Sequence, residues 1–360
     1  MHKILFVGGG GIGGITAAHM SEKGYNVTLY DIDEQHVKKI QKDGLFIDGV
    51  KGKKTVHLNA TTKLEGNFDI VFLAVKSQHT KTALENVLPY LKKDAPVVSL
   101  QNSINEELIA EKIGVDRTIG AVIGWGATNI APGHLRQTTK GNFVIGRLDG
   151  RITPQLKEIK KMLESLTTVE ITTNIMGHLW TKLIINCINA PLGAIFGVEL
   201  KNMVTNKKTL PIMAALADEL VRFLEYLDVK PENFENMLTV DFFKIDTLND
   251  YKRVVMVLQT AGKQRGDLKS TMLQDIEKGR KTEIDYINGY VEKKAKKLGV
   301  ATPVNGVVIN MVKEIEAGKR KPSLKNADDL YKRVRIPKAW KDYDFEKDKY
   351  AEFTIFNLPL

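Results

Sequence analysis

The stretch Ile4-Leu5-Phe6-Val7-Gly8-Gly9-Gly10-Gly11-Ile12-Gly13-Gly14, running on to Met20, decides the fold. Four apolar residues predict a buried strand, the glycines a turn, and the residues through Met20 a helix. The spacing Gly8-x-Gly10-x-x-Gly13 suits a pyrophosphate. Gly8 permits the tight turn out of the strand, Gly10 lets the backbone approach the phosphates, and Gly13 lets the helix pack closely on the sheet. Gly11 and Ile12 fall at the helix N-terminus, where unpaired N–H groups and the positive end of the dipole favour an anion. A second strand, Val27-Thr28-Leu29-Tyr30, ends in Asp31, 18 positions after Gly13. That is close to the ~20-residue offset of the carboxylate that hydrogen-bonds the adenosine ribose of a dinucleotide. With strand, helix and carboxylate all in place, a glycine-rich turn without a ligand is the weaker reading.

Asp31 also bears on which dinucleotide binds. A carboxylate accepts from both ribose hydroxyls but repels a 2′-phosphate. Ile32, Asp33 and Glu34 follow, so the expected cofactor is NADPH or NADH with a lean toward NADH; His36, Lys38 and Lys39 keep NADPH open.

At 360 residues, 43% hydrophobic and 27% charged, the chain is long enough for two domains with real cores. Its single cysteine, Cys187, excludes an internal disulfide, and no Cys/His pairs have zinc-ligand spacing, so no metal is expected. A reducing, cytoplasmic setting follows. The four apolar residues before the glycines are too few for a signal peptide. The longest apolar stretch, Leu183 to Val198, is interrupted by Asn186, Asn189 and Pro191 and is expected to fall short of a membrane span. The net charge of +10 suits anionic small molecules. Its lysines and arginines are dispersed over helix surfaces, so neither nucleic acid nor membrane is an expected partner.

Short apolar runs alternate with amphipathic ones up to residue 172. Ile70 to Val75, Val97 to Leu100 and Thr118 to Ile123 read as strands of a doubly wound sheet. Gly133 to Arg136, Asn142 to Ile145 and Val169 to Thr172 read as further strands, with a helix across Pro154 to Leu166. Beyond that, Leu210 to Leu227, Lys281 to Leu298 and Val304 to Ala317 repeat apolar residues at three and four. The expected architecture is α/β: a Rossmann-type domain over 1–172, an all-α domain over 173–318, and a basic C-terminal extension over 319–360. The aromatics of that extension, Trp340, Tyr343, Phe345, Tyr350, Phe353 and Phe356, argue against simple disorder. It is expected to pack on the body of the protein or on a second copy in a homodimer.

Polar residues in apolar helices are costly to bury unless paired. Lys182, Asn186 and Asn189 fall at i, i+4 and i+7, so they share one helix face. A lysine whose stem lies among Leu and Ile has its charge desolvated, which brings it toward general-acid use; the alternative is a lysine that snorkels to solvent. Ser270 and Thr271 offer hydroxyls for a carboxylate, yet Thr271-x-x-Gln274 is also the spacing of a capping box, the stronger reading on spacing alone. Glu283 opens an apolar helical stripe through Ile284, Ile287 and Val291. Lys76 and Asn102 each follow a sheet strand, at the carboxyl ends where open α/β folds bind ligands.

Taken together, these segments resemble the ketopantoate reductase family (2-dehydropantoate 2-reductases) from residue 2 to about residue 317. The resemblance rests on the glycine loop, Ala74-Val75-Lys76, Leu100-Gln101-Asn102, Leu179-Trp180-x-Lys182 with Asn186-Cys187, Ser270 through Asp275, Thr282 through Gly289, and Thr302-Pro303-x-Asn305. It implies NADPH-dependent reduction of a small-molecule 2-oxo acid, at a site enclosed by a dinucleotide-binding and a helical domain. Carried over by position, Lys182 would give the proton to the carbonyl oxygen and Glu283 would orient Lys182 or the substrate hydroxyl. Asn186 would bind substrate, Ser270 or Thr271 its carboxylate, while Asn102 and Lys76 would hold the nicotinamide end and position the reactants.

Four departures stand out, one of them the C-terminal extension, which lies outside the family pattern. The family usually has asparagine directly before the helix proline, where this chain has Ala190 and carries Asn189 one position earlier, a turn of about 100° on a helix. The family's Asn-Gly loop is here Asn102-Ser103. Asp31 stands where NADPH-using members tend to have a base. The function the resemblance implies is reduction of 2-dehydropantoate to (R)-pantoate for pantothenate and coenzyme A. The alternatives are a paralogue acting on another 2-oxo acid, or a dinucleotide-binding regulatory protein without turnover.

Overall fold

The computed structural model describes residues 1–233, 240–266 and 268–345. Its strands, in chain order, are β1 (Lys3–Val7), β2 (Asn26–Tyr30), β3 (Leu45–Gly49), β4 (Lys54–Val56), β5 (Asn59–Thr61) and β6 (Ile70–Leu73). They continue as β7 (Val97–Ser99), β8 (Thr118–Ile123), β9 (Ala127–Ala131), β10 (His134–Gln137), β11 (Phe143–Arg147) and β12 (Val169–Ile171). The chain divides into two units, the first Met1–Leu179 and the second from Trp180 onward.

In the first unit an eight-stranded sheet has the order β12-β11-β8-β7-β6-β1-β2-β5. It is parallel from β5 through β8, and only the β8–β11 pair is antiparallel. Every residue of β6 and β8 is buried, as expected of strands covered on both faces. Phe6 and Phe72, on neighbouring strands, stack with ring centroids 4.6 Å apart. Strand order reverses at β1, which pairs with β2 on one side and β6 on the other. This is the topological switch point at which such sheets open a crevice beyond the strands' carboxyl ends.

The segment at Gly133 forms a strand, as read, in a second sheet. Rather than extending the large sheet, β10 joins a separate four-stranded sheet of order β4-β3-β10-β9. This sheet packs on the helix Gly11–Glu22. Its strands are short and only partly buried, so they leave little alternation to read in the sequence. Arg136 on β10 grips Asp48 on β3 with two hydrogen bonds of 2.7 Å, and this holds the Asp48 carboxyl well below the usual carboxylate range.

The second unit is helical. Its spine, Ile175–Phe196, begins in the last residues of the first unit and carries Pro191 inside it. By length and composition this helix could cross a membrane, contrary to the expectation from its interruptions; 83% of its most apolar window is instead buried within the protein. Proline lacks an N–H and so frees the carbonyl of Cys187 four residues earlier. Asn288 Nδ2 donates to that carbonyl at 3.0 Å. Asn288 is held in turn by Asn305, through bonds of 2.9 and 3.0 Å. The Val304 and Asn305 amides, at the start of the helix Pro303–Glu316, donate to the Glu219 carboxylate at 2.8 and 2.7 Å.

The helix expected over 281–298 begins only at Asn288. Thr282 donates through both its amide and its hydroxyl to Glu316 at 2.7 Å, and its hydroxyl accepts from the Ile284 amide. This side-chain competition holds 281–287 in turns despite their helical spacing. The described part of the C-terminal extension packs on its own unit. Ala327 and Leu330 are buried, the helix Asn326–Arg333 lies against Thr209–Leu224, and Trp340 stacks on Tyr251 at 4.6 Å. Tyr350, Phe353 and Phe356 lie outside the described residues.

Candidate active site

The glycine loop divides its labour among its residues. Gly8 has φ of +104°, and a Cβ there would lie 2.9 Å from the backbone of Ala74 beyond β6. A Cβ on Gly13 would lie 2.1 Å from the Gly8 carbonyl oxygen, so the helix could not sit so close to the turn with any larger residue. Over Gly10 the space is open, with nothing within 4 Å of where a Cβ would be. No side chain caps the helix Gly11–Glu22 that starts there. Uncapped amides beneath open space suit a phosphate. Gly11, between Gly10 and Ile12, has a further reason to be glycine, because a Cβ would lie 2.8 Å from Ala127 on β9.

Asp31 follows β2 directly. Its Oδ2 accepts from the Gly9 amide at 2.5 Å and its Oδ1 from the Asp33 amide at 2.9 Å. An ionised carboxylate has about four acceptor positions, so two stay available for hydroxyl donors. Of the basic residues nearby, His36 is buried and bonded through both ring nitrogens. Lys38 pairs with Glu34 at 2.9 Å and Lys39 with Asp43 at 2.8 Å.

Lys76 and Asn102 stand on loops beyond β6 and β7, both partly exposed. The two loops are tied together by Gln101 and by two residues that sequence reading missed, Ser77 and Asn105. Ser77 Oγ donates to the Asn102 carbonyl at 3.1 Å, and Asn105 Nδ2 donates to the same carbonyl at 2.7 Å. Gln101 Nε2 reaches back to the Val75 carbonyl at 2.8 Å and to Thr80 Oγ1 at 2.7 Å. Ser103 has φ of +69°, the one positive φ outside glycine among the described residues. The turn therefore keeps the left-handed geometry that glycine adopts at lower cost.

On the second unit's spine, Lys182, Asn186 and Asn189 are the only residues between Gly177 and Phe196 that are not buried. They make one accessible polar seam, as their i, i+4, i+7 spacing requires. Asn189 also borders a small apolar pocket with Ile185, Leu200, Val204, Met213 and Phe243. Ala190 is buried. Ser270 lies beside the same helix: its hydroxyl donates to the Ala190 carbonyl at 3.0 Å and accepts from the Leu273 amide at 3.2 Å. Gly193 permits this approach, since a Cβ there would lie 2.6 Å from Ser270 Oγ. Ser270, rather than Thr271, is thus the helix cap, which corrects the expected Thr271-x-x-Gln274 capping box. Thr271 is exposed at the first position of the helix Thr271–Glu277. Glu283 is buried in the turn before Asn288, not on a helical stripe.

Residues 4–150 match the family described as ketopantoate reductase PanE/ApbA, and residues 174–316 match its C-terminal region, ketopantoate reductase PanE/ApbA C terminal. The chain belongs to the ketopantoate reductase family. Among curated relatives, the 2-dehydropantoate 2-reductase of Pyrococcus abyssi is 33% identical over 323 residues, covering 88% of this chain and 98% of that protein. The Archaeoglobus fulgidus enzyme of the same name is 26% identical over 321 residues, covering 88% and 99%. Among solved structures, a ketopantoate reductase family member from Ralstonia eutropha superposes with a TM-score of 0.75 at 24% identity, covering 88% of this chain and 99% of that one. D-mandelate dehydrogenase, in a ternary structure with NADH and anilino(oxo)acetate, also gives 0.75, at 22% identity with the same coverage. These two share the fold. As a ketopantoate reductase family member the chain is an NAD(P)-dependent oxidoreductase, which sets aside the reading of a binding protein without turnover.

Proposed function

We propose that the protein reduces 2-dehydropantoate to (R)-pantoate in the cytoplasm, on the route to pantothenate and coenzyme A. The observation that carries this reading is the polar seam of Lys182, Asn186 and Asn189 on a helix otherwise buried from Gly177 to Phe196. Its support is the likeness to 2-dehydropantoate 2-reductases over almost the whole of their length. Residues 1–172 would serve the cofactor and 173–318 the substrate and the proton.

The residues around Gly10 and Asp31 fit a dinucleotide: open space over uncapped amides for the pyrophosphate, and a fixed carboxylate for the ribose. When bound, a reduced nicotinamide supplies the hydride that converts the 2-oxo carbon to an alcohol. Lys182 gives its proton to the carbonyl oxygen, and its ammonium stabilises the negative charge that grows there. Glu283 orients Lys182 or the substrate hydroxyl, and Asn186 binds the substrate. Of the two hydroxyls for the substrate carboxylate, Thr271 is the better donor, because the single proton of Ser270 is already given to Ala190. Lys76 and Asn102 hold the nicotinamide end, on loops braced by Ser77, Gln101 and Asn105. NADH is the preferred reductant, since the Asp31 carboxylate keeps two acceptor positions for the ribose hydroxyls, His36 is bonded through both ring nitrogens, and Lys38 and Lys39 pair with Glu34 and Asp43.

A second reading, a paralogue for another 2-oxo acid, is favoured by buried Ala190 and by the apolar pocket that Asn189 borders. Losing one hydrogen bond to a substrate hydroxyl changes specificity sharply. Steady-state oxidation of NADH and NADPH, in parallel, with 2-dehydropantoate and a panel of other 2-oxo acids decides between them. Efficient turnover of 2-dehydropantoate is expected. Turnover of another acid alone would move the function to the paralogue, and turnover of none would refute both.

A further inference from the structure

We propose that His36 is a positioning residue for the adenosine ribose, a neutral imidazole that fixes the glycine loop against Asp31. The inference rests on the dinucleotide reading of the loop and adds the device that sets its geometry. Four residues close a ring of hydrogen bonds. The Gly9 amide donates to Asp31 Oδ2 at 2.5 Å, the Asp33 amide to Asp31 Oδ1 at 2.9 Å, and the His36 amide to Asp33 Oδ1 at 3.0 Å. The imidazole returns to the start, with Nε2 2.9 Å from the Gly9 carbonyl oxygen.

The bonding fixes the tautomer. A carbonyl only accepts, so Nε2 carries the proton; the Gly133 amide only donates, at 3.0 Å, so Nδ1 is the acceptor. The ring is 2% exposed and spans from the glycine loop to the turn between β9 and β10. Both polar groups of the Gly9 backbone are therefore held, one by the ribose carboxylate and the other by His36. The loop has no slack in which to relax. A Cβ on Gly9 would lie 3.2 Å from Asp31 Oδ2 and from the His36 ring, and one on Gly14 would lie 2.8 Å from the Gly9 oxygen. Where Gly9 sits, Asp31 Oδ2 follows, and with it the two acceptor positions left for the ribose. A 2′-phosphate makes no use of those positions, so the consequence falls on NADH more than on NADPH.

The test uses the full-length protein with His36→Leu, which removes both ring bonds at similar volume, and His36→Gln, which keeps a donor for Gly9. Direct titration by protein fluorescence is expected to show NADH dissociation constants about tenfold weaker for His36→Leu, with NADPH little changed. In turnover the KM for NADH should rise while kcat holds, and His36→Gln should recover most of the loss. Equal weakening of both cofactors, or no change in either, overturns the proposal in favour of a purely structural tie to the second sheet. Should His36→Leu not fold, nuclear magnetic resonance of the wild-type protein with isotope-labelled histidine reads the ring directly. An Nε2-protonated imidazole whose signals move when NADH saturates supports the proposal, and unmoved signals refute it. Wild-type protein that binds neither dinucleotide overturns the cofactor reading itself, and this inference with it.

Discussion

Lys182 remains accessible on a helix whose other residues, apart from Asn186 and Asn189, are buried from Gly177 to Phe196. A residue kept there for solubility alone could be lost without effect on the chemical step. Lys182→Ala is expected to lower kcat by about two to four orders of magnitude while leaving the NADH dissociation constant unchanged, measured by turnover and by fluorescence titration side by side. Asp31 belongs to a different event. Asp31→Ala should weaken NADH by about ten- to a hundredfold and NADPH much less, because it removes charged acceptors from the ribose and leaves the 2′-phosphate unopposed; equal losses for the two cofactors would contradict a role at the ribose. Both residues were legible in the sequence, since a helix face and a strand end are matters of spacing alone. The commitment of Ser270 was not legible, because its partner, the Ala190 carbonyl, lies 80 residues away.

At the level of elements, the spine helix accommodates Pro191 because the carbonyl that proline frees is taken up by Asn288. Asn288→Ala leaves that buried carbonyl without its donor and unlocks Asn305, at an expected cost of about 1–3 kcal/mol in chemical denaturation. The neighbouring helix Pro303–Glu316 gives stability a pH dependence. Burial pushes the Glu219 carboxyl up from 4.5 to about 7, although the Val304 and Asn305 amides pull it back. A carboxyl that holds its proton more tightly folded than unfolded favours the fold at low pH. Its contribution is complete below about 4.5 and is lost as pH rises through about 7. Glu219→Gln should remove this decline, so that denaturation midpoints of the two proteins diverge across that window; parallel curves would show that Glu219 does not titrate there. The helix at Asn288 shows the limit of periodicity. Its apolar spacing runs on from Lys281, yet the bonds of Thr282 to Glu316, 34 residues away, turn the chain until Asn288.

At the largest scale, the described residues of the extension beyond Gly318 behave as part of the second unit. Leu330 and Val334 are buried, Arg320 pairs with Glu314 at 2.6 Å and with Asp329 at 2.7 Å, and Trp340 covers Tyr251. Truncation after Gly318 is therefore expected to lower the thermal midpoint by several degrees through the exposure of apolar surface. An unchanged midpoint would mean that the packing contributes nothing. A change from dimer to monomer on truncation would place the extension between subunits as well.

Spacing alone was enough to read the strand, glycine turn and helix at the chain's start, the α/β-then-helical order, and the face shared by Lys182, Asn186 and Asn189. Each depends on a period or an offset that a single strand, turn or helix imposes on its own residues. The second sheet, where Asp48 and Arg136 meet from 88 residues apart, and the turn that carries Glu283 emerged with the folded chain. The folded chain alone showed the ring of Gly9, Asp31, Asp33 and His36, and the bond that commits the Ser270 hydroxyl. Those features rest on hydrogen bonds between distant segments, and such bonds leave no periodic trace in either partner.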